Sequence, residues 1–236
     1  MNLRAVTAFI IGIIATTGAI AQINDGCPEG FAGSDRDAIK NRTPDAGFQY
    51  GRVNGGNPIN ASKWFGQTCE WDTQLDSLRP WKKAQFKTKL VDDVENLRVT
   101  LRGYLVSVKK DADNDFHVEI AESPNWSSRH MIAEFPSLAF ACDARKTIND
   151  LVQNDTDAHR SGSSSSKHAF YQAVCIEVEG FVFLGMHHSK TGEADCKTSG
   201  GRGLHANGQP SEVVGLYEIH PAFSLKKLNS SQCKSN

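Results

Sequence analysis

Residues 97–122 constrain the fold more than any other part of this sequence. Leu97, Val99 and Leu101 alternate with polar residues, which is typical of a strand with one buried face. After Gly103 the apolar phase moves by one residue, which predicts a β-bulge at that glycine. The polar run 109–115 predicts a turn, and Phe116 begins a second alternating segment. A long bent strand followed by a hairpin is typical of the start of a small barrel.

The same pattern recurs downstream, where Gly180 interrupts an alternating apolar segment at 174–184. Further strands are predicted at 131–135 and at 213–220, the latter ending before Pro221, and helical spacing predicts a helix at 143–153. This element order is that of an OB-fold: three strands, a helix, a strand, a long loop and a last strand. We therefore predict a mainly β protein with a five-stranded OB-fold-like barrel and one helix between strands three and four. A β-sandwich is the alternative, but it would need more strands.

The N-terminus has the features of a secretory signal peptide. Met1 to Arg4 is a short cationic start, residues 5–20 are apolar, and residues 19–21 form a small-residue cleavage site. The predicted organisation is a signal peptide at 1–21, an irregular extension at 22–93, the barrel at 94–226 and a C-terminal tail at 227–236. A single membrane anchor is the alternative for the first segment. We expect a secreted or periplasmic protein that is not stably inserted in a membrane after cleavage.

The six cysteines all follow the predicted cleavage site. An even number of cysteines in an exported chain favours disulfides over free thiols. Spacing alone leaves the connectivity open, and we predict pairs between neighbours in sequence: Cys27 with Cys69, Cys142 with Cys175, and Cys196 with Cys233.

The formal net charge of −1 provides no overall attraction to nucleic acid or to an anionic membrane. A local basic segment at 79–89 is the exception, because it combines lysines with aromatic residues that could stack on bases. Its candidate ligand-binding residues are Trp81, Lys82, Lys83 and Lys87. The alternative for this segment is an amphipathic helix that leads into the barrel.

Two residues near the end of the chain could carry catalysis. Glu218 and His220 are two positions apart on a predicted strand, so their side chains share a face. A carboxylate that orients a histidine suits general-base catalysis, and His188 in the long loop could join them. The structural alternative is that both residues bond to backbone groups and fix the last strand. His117 and Glu119 form a similar pair, which we interpret as a solvated face.

Metal sites are less well supported by residue spacing. His187, His188 and His205 could meet across the long loop, but they lack a fixed ligand spacing. The aspartates between 111 and 115 superficially follow a calcium loop, yet Phe116 stands where such loops need glycine. We interpret these aspartates as an acidic solvated turn, and the sequence predicts neither a metal nor a cofactor.

Three motifs resemble a group of exported, mostly bacterial OB-fold-like proteins. They are the apolar strand at 180–184, a loop with His188, Thr191 and Gly192, and a closing segment with Glu218, His220 and Pro221. Relatives in that group close on E-[IL]-H-P-V, and Ala222 departs from this pattern. The group has no established activity, so the resemblance implies an OB-fold-like barrel and export but no chemistry.

The first functional hypothesis is an exported, disulfide-stabilised OB-fold-like binding protein whose ligand is a nucleic acid or an oligosaccharide. The second is an exported, nuclease-like hydrolase that uses His220 and Glu218. The third is a structural envelope or host-interaction protein without a small ligand.

Overall fold

The structure is a computed structural model that describes residues 27, 58–62, 95, 97–155, 167–185 and 213–234. Its strands are β1 Ile59–Asn60, β2 Arg98–Lys110, β3 Phe116–Ala121, β4 His130–Phe135, β5 Lys167–Leu184 and β6 Val213–Lys227. A short 3-10 helix, Ala139–Ala141, precedes α1, Cys142–Asn154, and the chain ends with α2, Ser230–Cys233.

Five strands of mixed sheet close into a ring. β2 pairs with β3, β3 with β4, β4 with β6 and β6 with β5, and β5 returns to β2. All of these pairs are antiparallel except β4 with β6, while β1 adds a short parallel pairing to β2. The predictions of a mainly β fold and of one helix between the third and fourth strands of the ring are confirmed.

The core fills the inside of the ring. Alternate residues of each strand point inward because side chains of a strand project to opposite faces. The core cluster is built from aliphatic and phenylalanine side chains that are almost completely buried, among them Val99, Leu101, Leu105, Phe116, Val118, Ile120, Ala133, Phe135, Phe170, Ile176, Val178 and Ile219. Helix α1 closes this core with Ala144, Ile148 and Val152.

The predicted bulge at Gly103 is wrong by about three residues. The core phase continues through Gly103 to Leu105, and the register shifts between Leu105 and Ser107 in the pairings of β2 with both β3 and β5. Tyr104 and Val106 belong to a second apolar cluster that is separate from the core. Their apolar character therefore reflects burial on the other face of β2.

The sequence predicted that the last strand ends before Pro221, and this prediction is wrong. β6 continues to Lys227, and its pairing with β5 shifts register on both sides of Gly180. Proline lacks a backbone N–H and is tolerated in sheets where a bulge interrupts the ladder. Pro221 lies in such an interruption, because Gly180 pairs with Ala222 while Val182 pairs with Ile219.

Gly180 is required at this bulge because the two strands approach closely there. A Cβ atom at position 180 would lie 2.4 Å from Cγ2 of Ile219, 2.5 Å from the carbonyl oxygen of Pro221 and 2.8 Å from Cα of Ala222. We expect Gly180→Ala to lower the free energy of unfolding by about 2–3 kcal/mol, since overpacking of this kind displaces backbone. Chemical denaturation measures the loss, with Ser224→Ala as a control that should stay within about 0.5 kcal/mol of wild type. An alanine variant as stable as the parent would mean that the bulge is not constrained.

Arg145 joins α1 to one end of the ring. Its guanidinium lies 3.9 Å from the centre of the Phe116 ring, and its Nη1 donates to the carbonyl oxygens of Phe135, at 2.7 Å, and Asn114, at 2.9 Å. Buried arginine is uncommon unless its donors are satisfied. These contacts fix the helix against the turn between β2 and β3 and the end of β4.

The disulfides differ from the predicted pairs of sequence neighbours. Cys27 bonds to Cys142, and Cys175 bonds to Cys233. These two bonds exclude all three predicted pairs, since each of those pairs uses at least one of these four cysteines. Cys69 and Cys196 lie outside the described residues. Neighbours in sequence are not neighbours in this ring, where β5 runs beside β2 and α2 returns to both.

Disulfides form in oxidising compartments, so two of them are consistent with the predicted export. Among the described residues, no helix is both long and apolar enough to cross a membrane.

Candidate functional site

The outer face of β3, β4 and β6 carries histidines and carboxylates in place of apolar side chains. Their sequence neighbours point into the core, so alternation directs these residues outward. We call this set the histidine–carboxylate face: His117, Glu119, His130, Glu134, Glu218 and His220.

His220 lies at the centre of this face and is completely buried. Its Nδ1 is 2.7 Å from Oε2 of Glu134 and 3.8 Å from Oε1 of Glu218, and its Nε2 is 3.3 Å from Oδ2 of Asp115. The ring also lies against Phe183, with 5.4 Å between the ring centres. The imidazole therefore contacts three carboxylates and one aromatic ring.

These carboxylates control the charge of the imidazole. Burial alone would lower the pKa of His220, but the charge of Glu134 and the contacts with Asp115, Glu134 and Glu218 outweigh it and raise the pKa to about 10. Burial would raise the pKa of Glu134, yet His220 and His117 hold it well below its usual value. Without another cation, the buried pair is an imidazolium and a carboxylate at neutral pH.

Glu134 connects His220 to the surface. Its other oxygen, Oε1, lies 3.1 Å from Nδ1 of His117, which is directly opposite Glu134 in the pairing of β3 with β4. Nδ1 of His117 is also 3.6 Å from Oδ2 of Asp111, and Asp111 forms an ion pair with Lys109. A chain of polar contacts thus runs from the partly exposed Lys109 to the buried His220.

A second branch of the face is centred on Glu119. Its Oε2 lies 3.3 Å from Nδ1 of His130, and its Oε1 accepts a hydrogen bond of 2.9 Å from Nζ of Lys167. Burial raises the pKa of Glu119, but the contact with His130 and the positive charge of Lys167 overcome this effect and lower the pKa to about 2. The carboxylate is therefore held ionised, and Trp126 packs edge-on beside His130.

The lowered pKa of Glu119 predicts a specific loss of stability in acid. Its folded pKa of about 2 is below its ordinary value of 4.5, so its contribution is complete above pH 4.5 and is lost as the pH falls towards 2. The shift corresponds to about 3 kcal/mol. We expect wild type to exceed Glu119→Gln in unfolding free energy at pH 6, and this difference to shrink between pH 4.5 and pH 2.

Denaturant unfolding across this pH range measures that difference. Glu122, whose side chain is 45% exposed and pairs with Arg129 at the surface, provides the control through Glu122→Gln. A difference between wild type and Glu119→Gln that does not change with pH would contradict the assignment.

The structure brings together two of the three predicted catalytic residues and adds two that the sequence analysis missed. Glu218 and His220 share a cluster with Glu134 and Asp115, whereas His188 lies outside the described residues. The predicted ligand-binding residues also lie outside them: Trp81, Lys82, Lys83 and Lys87. A glutamate within the apolar strand at 131–135 was the available signal for Glu134.

Three interpretations made from the sequence are wrong in this region. His117 and Glu119 are not a solvated pair, because their side chains are only 18% and 15% exposed and each has a charged partner. Asp115 is buried, so the turn that contains it is not simply acidic and solvated. His220 meets carboxylates at close range and neither of its ring nitrogens has a hydrogen-bond partner, where the structural alternative expected bonds to backbone.

In the described part of the chain, two groups of side chains on or beside this face have the donor atoms and the proximity to hold a cation. Asp111, His117 and Glu134 form one group, and Asp115, Glu134 and His220 form the other. Within each group the ligand atoms lie within 4.8 Å of one another, and Glu134 belongs to both.

Comparison with known proteins adds no relative: no family model, no curated protein and no solved structure matches this chain. The resemblance to exported OB-fold-like proteins therefore stays a prediction, and the function has to be argued from the site.

Proposed function

We propose that this protein is an exported, disulfide-stabilised binding protein with an OB-fold-like barrel, and that it binds an oligosaccharide at the rim of the histidine–carboxylate face, beside Trp126. The observation that carries the proposal is the partly exposed ring of Trp126, which lies next to Lys167 at this rim. In the element order of an OB-fold, β3 and β4 correspond to strands two and three, whose outer face binds oligonucleotides and oligosaccharides. The step from fold to binding is an analogy.

The rim of this face has the features of a ligand site. Trp126 follows β3 and packs against His130, and Nζ of Lys167 lies 5.9 Å from the centre of the Trp126 ring. An aromatic ring flanked by hydrogen-bonding side chains combines apolar contact with polar groups that fix the orientation of a ligand. Sugars present both kinds of surface.

The charge of the face favours an oligosaccharide over a nucleic acid. Glu119, Glu134 and Glu218 lie on it, with Asp111 and Asp115 beside them. Among the described residues, the lysines that pair with this set are Lys109 and Lys167. Phosphates bind where lysine and arginine dominate, so an acidic face repels a polyanion unless a cation intervenes.

A binding assay on neutral oligosaccharides and single-stranded DNA tests this proposal. We expect binding to an oligosaccharide, and an affinity about tenfold weaker or worse in Trp126→Ala, equivalent to about 1.4 kcal/mol. Tyr171→Ala is a control for removal of a surface aromatic ring, because this side chain is 56% exposed and its backbone N–H bonds to Asp155 at the end of α1.

Salt-sensitive DNA binding that depends on Lys82, Lys83 and Lys87, and not on Trp126, would replace this proposal with the nucleic-acid hypothesis. Absence of binding to either polymer would favour a structural envelope or host-interaction role.

The hydrolase hypothesis takes second place because its proposed base is sealed from solvent. A general base must come within hydrogen-bond reach of the proton that it removes. The His220 side chain is 0% exposed, and both of its ring nitrogens face carboxylates. Phosphodiesterase activity that is abolished in His220→Gln, but retained in the equally folded His117→Gln, would restore this hypothesis.

A further inference from the structure

We propose that Asp115, Glu134 and His220 bind one divalent transition-metal cation, Zn²⁺ or Mn²⁺, at the buried centre of the histidine–carboxylate face. The sequence predicted no metal, because these three ligands come from three separate segments of the chain and follow no spacing motif. β6 contributes His220, β4 contributes Glu134, and Asp115 directly precedes β3.

The strongest evidence is that buried polar atoms in this cluster lack aligned hydrogen bonds. Both carboxylate oxygens of Asp115 and both ring nitrogens of His220 are inaccessible to solvent and have no hydrogen-bond partner. The contact of 2.7 Å between Nδ1 of His220 and Oε2 of Glu134 is close but not aligned as a hydrogen bond. Buried polar groups without partners are costly and therefore rare, and a coordinated cation would satisfy several at once.

The spacing of the donor atoms fits a metal ion. Ligands about 2.1 Å from a zinc ion lie about 3.4 Å apart in a tetrahedral site. Asp115, Glu134 and His220 each offer one ligand atom, and these three atoms lie within 4.8 Å of one another. Small side-chain movements would thus suffice to surround a cation.

The charge balance points the same way. The carboxylates of Asp115, Glu134 and Glu218 all lie within 4 Å of the His220 ring, so negative charge is concentrated around this imidazole. Ions buried in a protein need close partners of opposite charge. A divalent cation bound through one ring nitrogen of His220 would supply two positive charges beside these carboxylates.

The neighbouring group formed by Asp111, His117 and Glu134 is a weaker candidate. Its groups already have partners: Asp111 pairs with Lys109, and His117 lies within hydrogen-bond distance of Glu134. Asp111 is also 28% exposed, so water competes for it. This group therefore provides a matched control within the same network.

The donor set indicates which cations to test. Imidazole favours zinc and other transition metals, whereas sites for magnesium and calcium consist almost entirely of oxygen ligands. One imidazole with two or three carboxylates suits Zn²⁺ or Mn²⁺. Calcium or magnesium bound more tightly than both would contradict the assignment.

Metal content measured by mass spectrometry tests the site. Full-length protein with intact disulfides is treated with a chelator, equilibrated with Zn²⁺ or Mn²⁺, desalted and analysed. We expect about one ion per chain in wild type and an affinity weakened tenfold or more in Asp115→Asn. Asp111→Asn and His168→Gln should bind as wild type does, because His168 pairs with Asp155 outside this cluster.

A second measurement keeps the proposal testable if Asp115→Asn does not fold. In wild type, Zn²⁺ should shift the ring nitrogen resonances of His220, while those of His168 stay unchanged. No retained ion after millimolar exposure would overturn the proposal, as would a folded Asp115→Asn with unchanged affinity. A shift at His168, or at His117 without one at His220, would also overturn it.

Discussion

Replacing His220 with glutamine is expected to lower the free energy of unfolding by about 3–5 kcal/mol in chelator-treated protein, the cost of breaking a buried ion pair. The variant retains hydrogen-bonding groups but removes the positive charge. Glu134, Glu218 and Asp115 would then remain buried without the imidazolium that each of them contacts. Chemical denaturation monitored by tryptophan fluorescence and circular dichroism measures the loss.

A double-mutant cycle shows whether this loss comes from the ion pair. Glu134→Gln removes the closest carboxylate, so the double variant His220→Gln/Glu134→Gln should be more stable than the sum of the single losses predicts, with a coupling of about 1–3 kcal/mol. His117→Gln is the matched control: it also removes a histidine next to Glu134, but it leaves His220 in place. A loss below about 1 kcal/mol in His220→Gln would mean that burial of this cluster is not balanced by charge.

Local alternation was sufficient to predict most elements of the ring. Residues 97–122 predicted β2 and β3, and the run around Gly180 predicted the second half of β5. The sequence indicated α1 through the spacing of Ala144, Ile148 and Val152. The prediction of these elements succeeded because each element buries a single face, so the spacing of its apolar residues matches the repeat of a strand or a helix.

The errors in the predicted strands occur where contacts with distant parts of the chain, not sequence neighbours, determine which residue a position can hold. Tyr104 and Val106 are apolar because a second cluster covers the opposite face of β2, which shifted the apparent phase at Gly103. Pro221 is tolerated inside β6 because the bulge at Gly180 needs no N–H donor there. Neither the second cluster nor the bulge can be read from neighbouring residues.

The sequence predicted only those site residues that lie on the same strand. Glu218 and His220 share β6, so their proximity follows from alternation. Glu134 joins them through the parallel pairing of β4 with β6, which places Ile132 opposite Glu218. That contact links residues more than eighty positions apart, and no local pattern encodes it. The prediction of the disulfide pairs failed for the same reason, because the bonded cysteines are brought together by contacts between distant parts of the chain.

Removing the disulfide between Cys175 and Cys233 is the other change with a large expected effect. The bond closes a loop with a sequence separation of 58 residues, and the chain-entropy model assigns about 4 kcal/mol to a loop of this size. We expect the double variant Cys175→Ala/Cys233→Ala to lose about that much stability under oxidising conditions. Alanine avoids placing hydroxyl groups in the apolar cluster that both cysteines share with Tyr104.

The second disulfide provides the comparison that separates entropy from packing. Cys27 and Cys142 are 115 residues apart, so loop entropy alone makes their bond about 0.6 kcal/mol more stabilising than the other. Packing favours the opposite order, because Cys175 and Cys233 hold α2 against β2 and β5. A larger loss for the Cys175/Cys233 pair would therefore show that packing of α2 dominates. A loss below 1 kcal/mol would contradict both accounts, and would mean that the hydrogen bond from Leu228 N–H to the Cys175 carbonyl and the surrounding apolar contacts hold α2 without the bond.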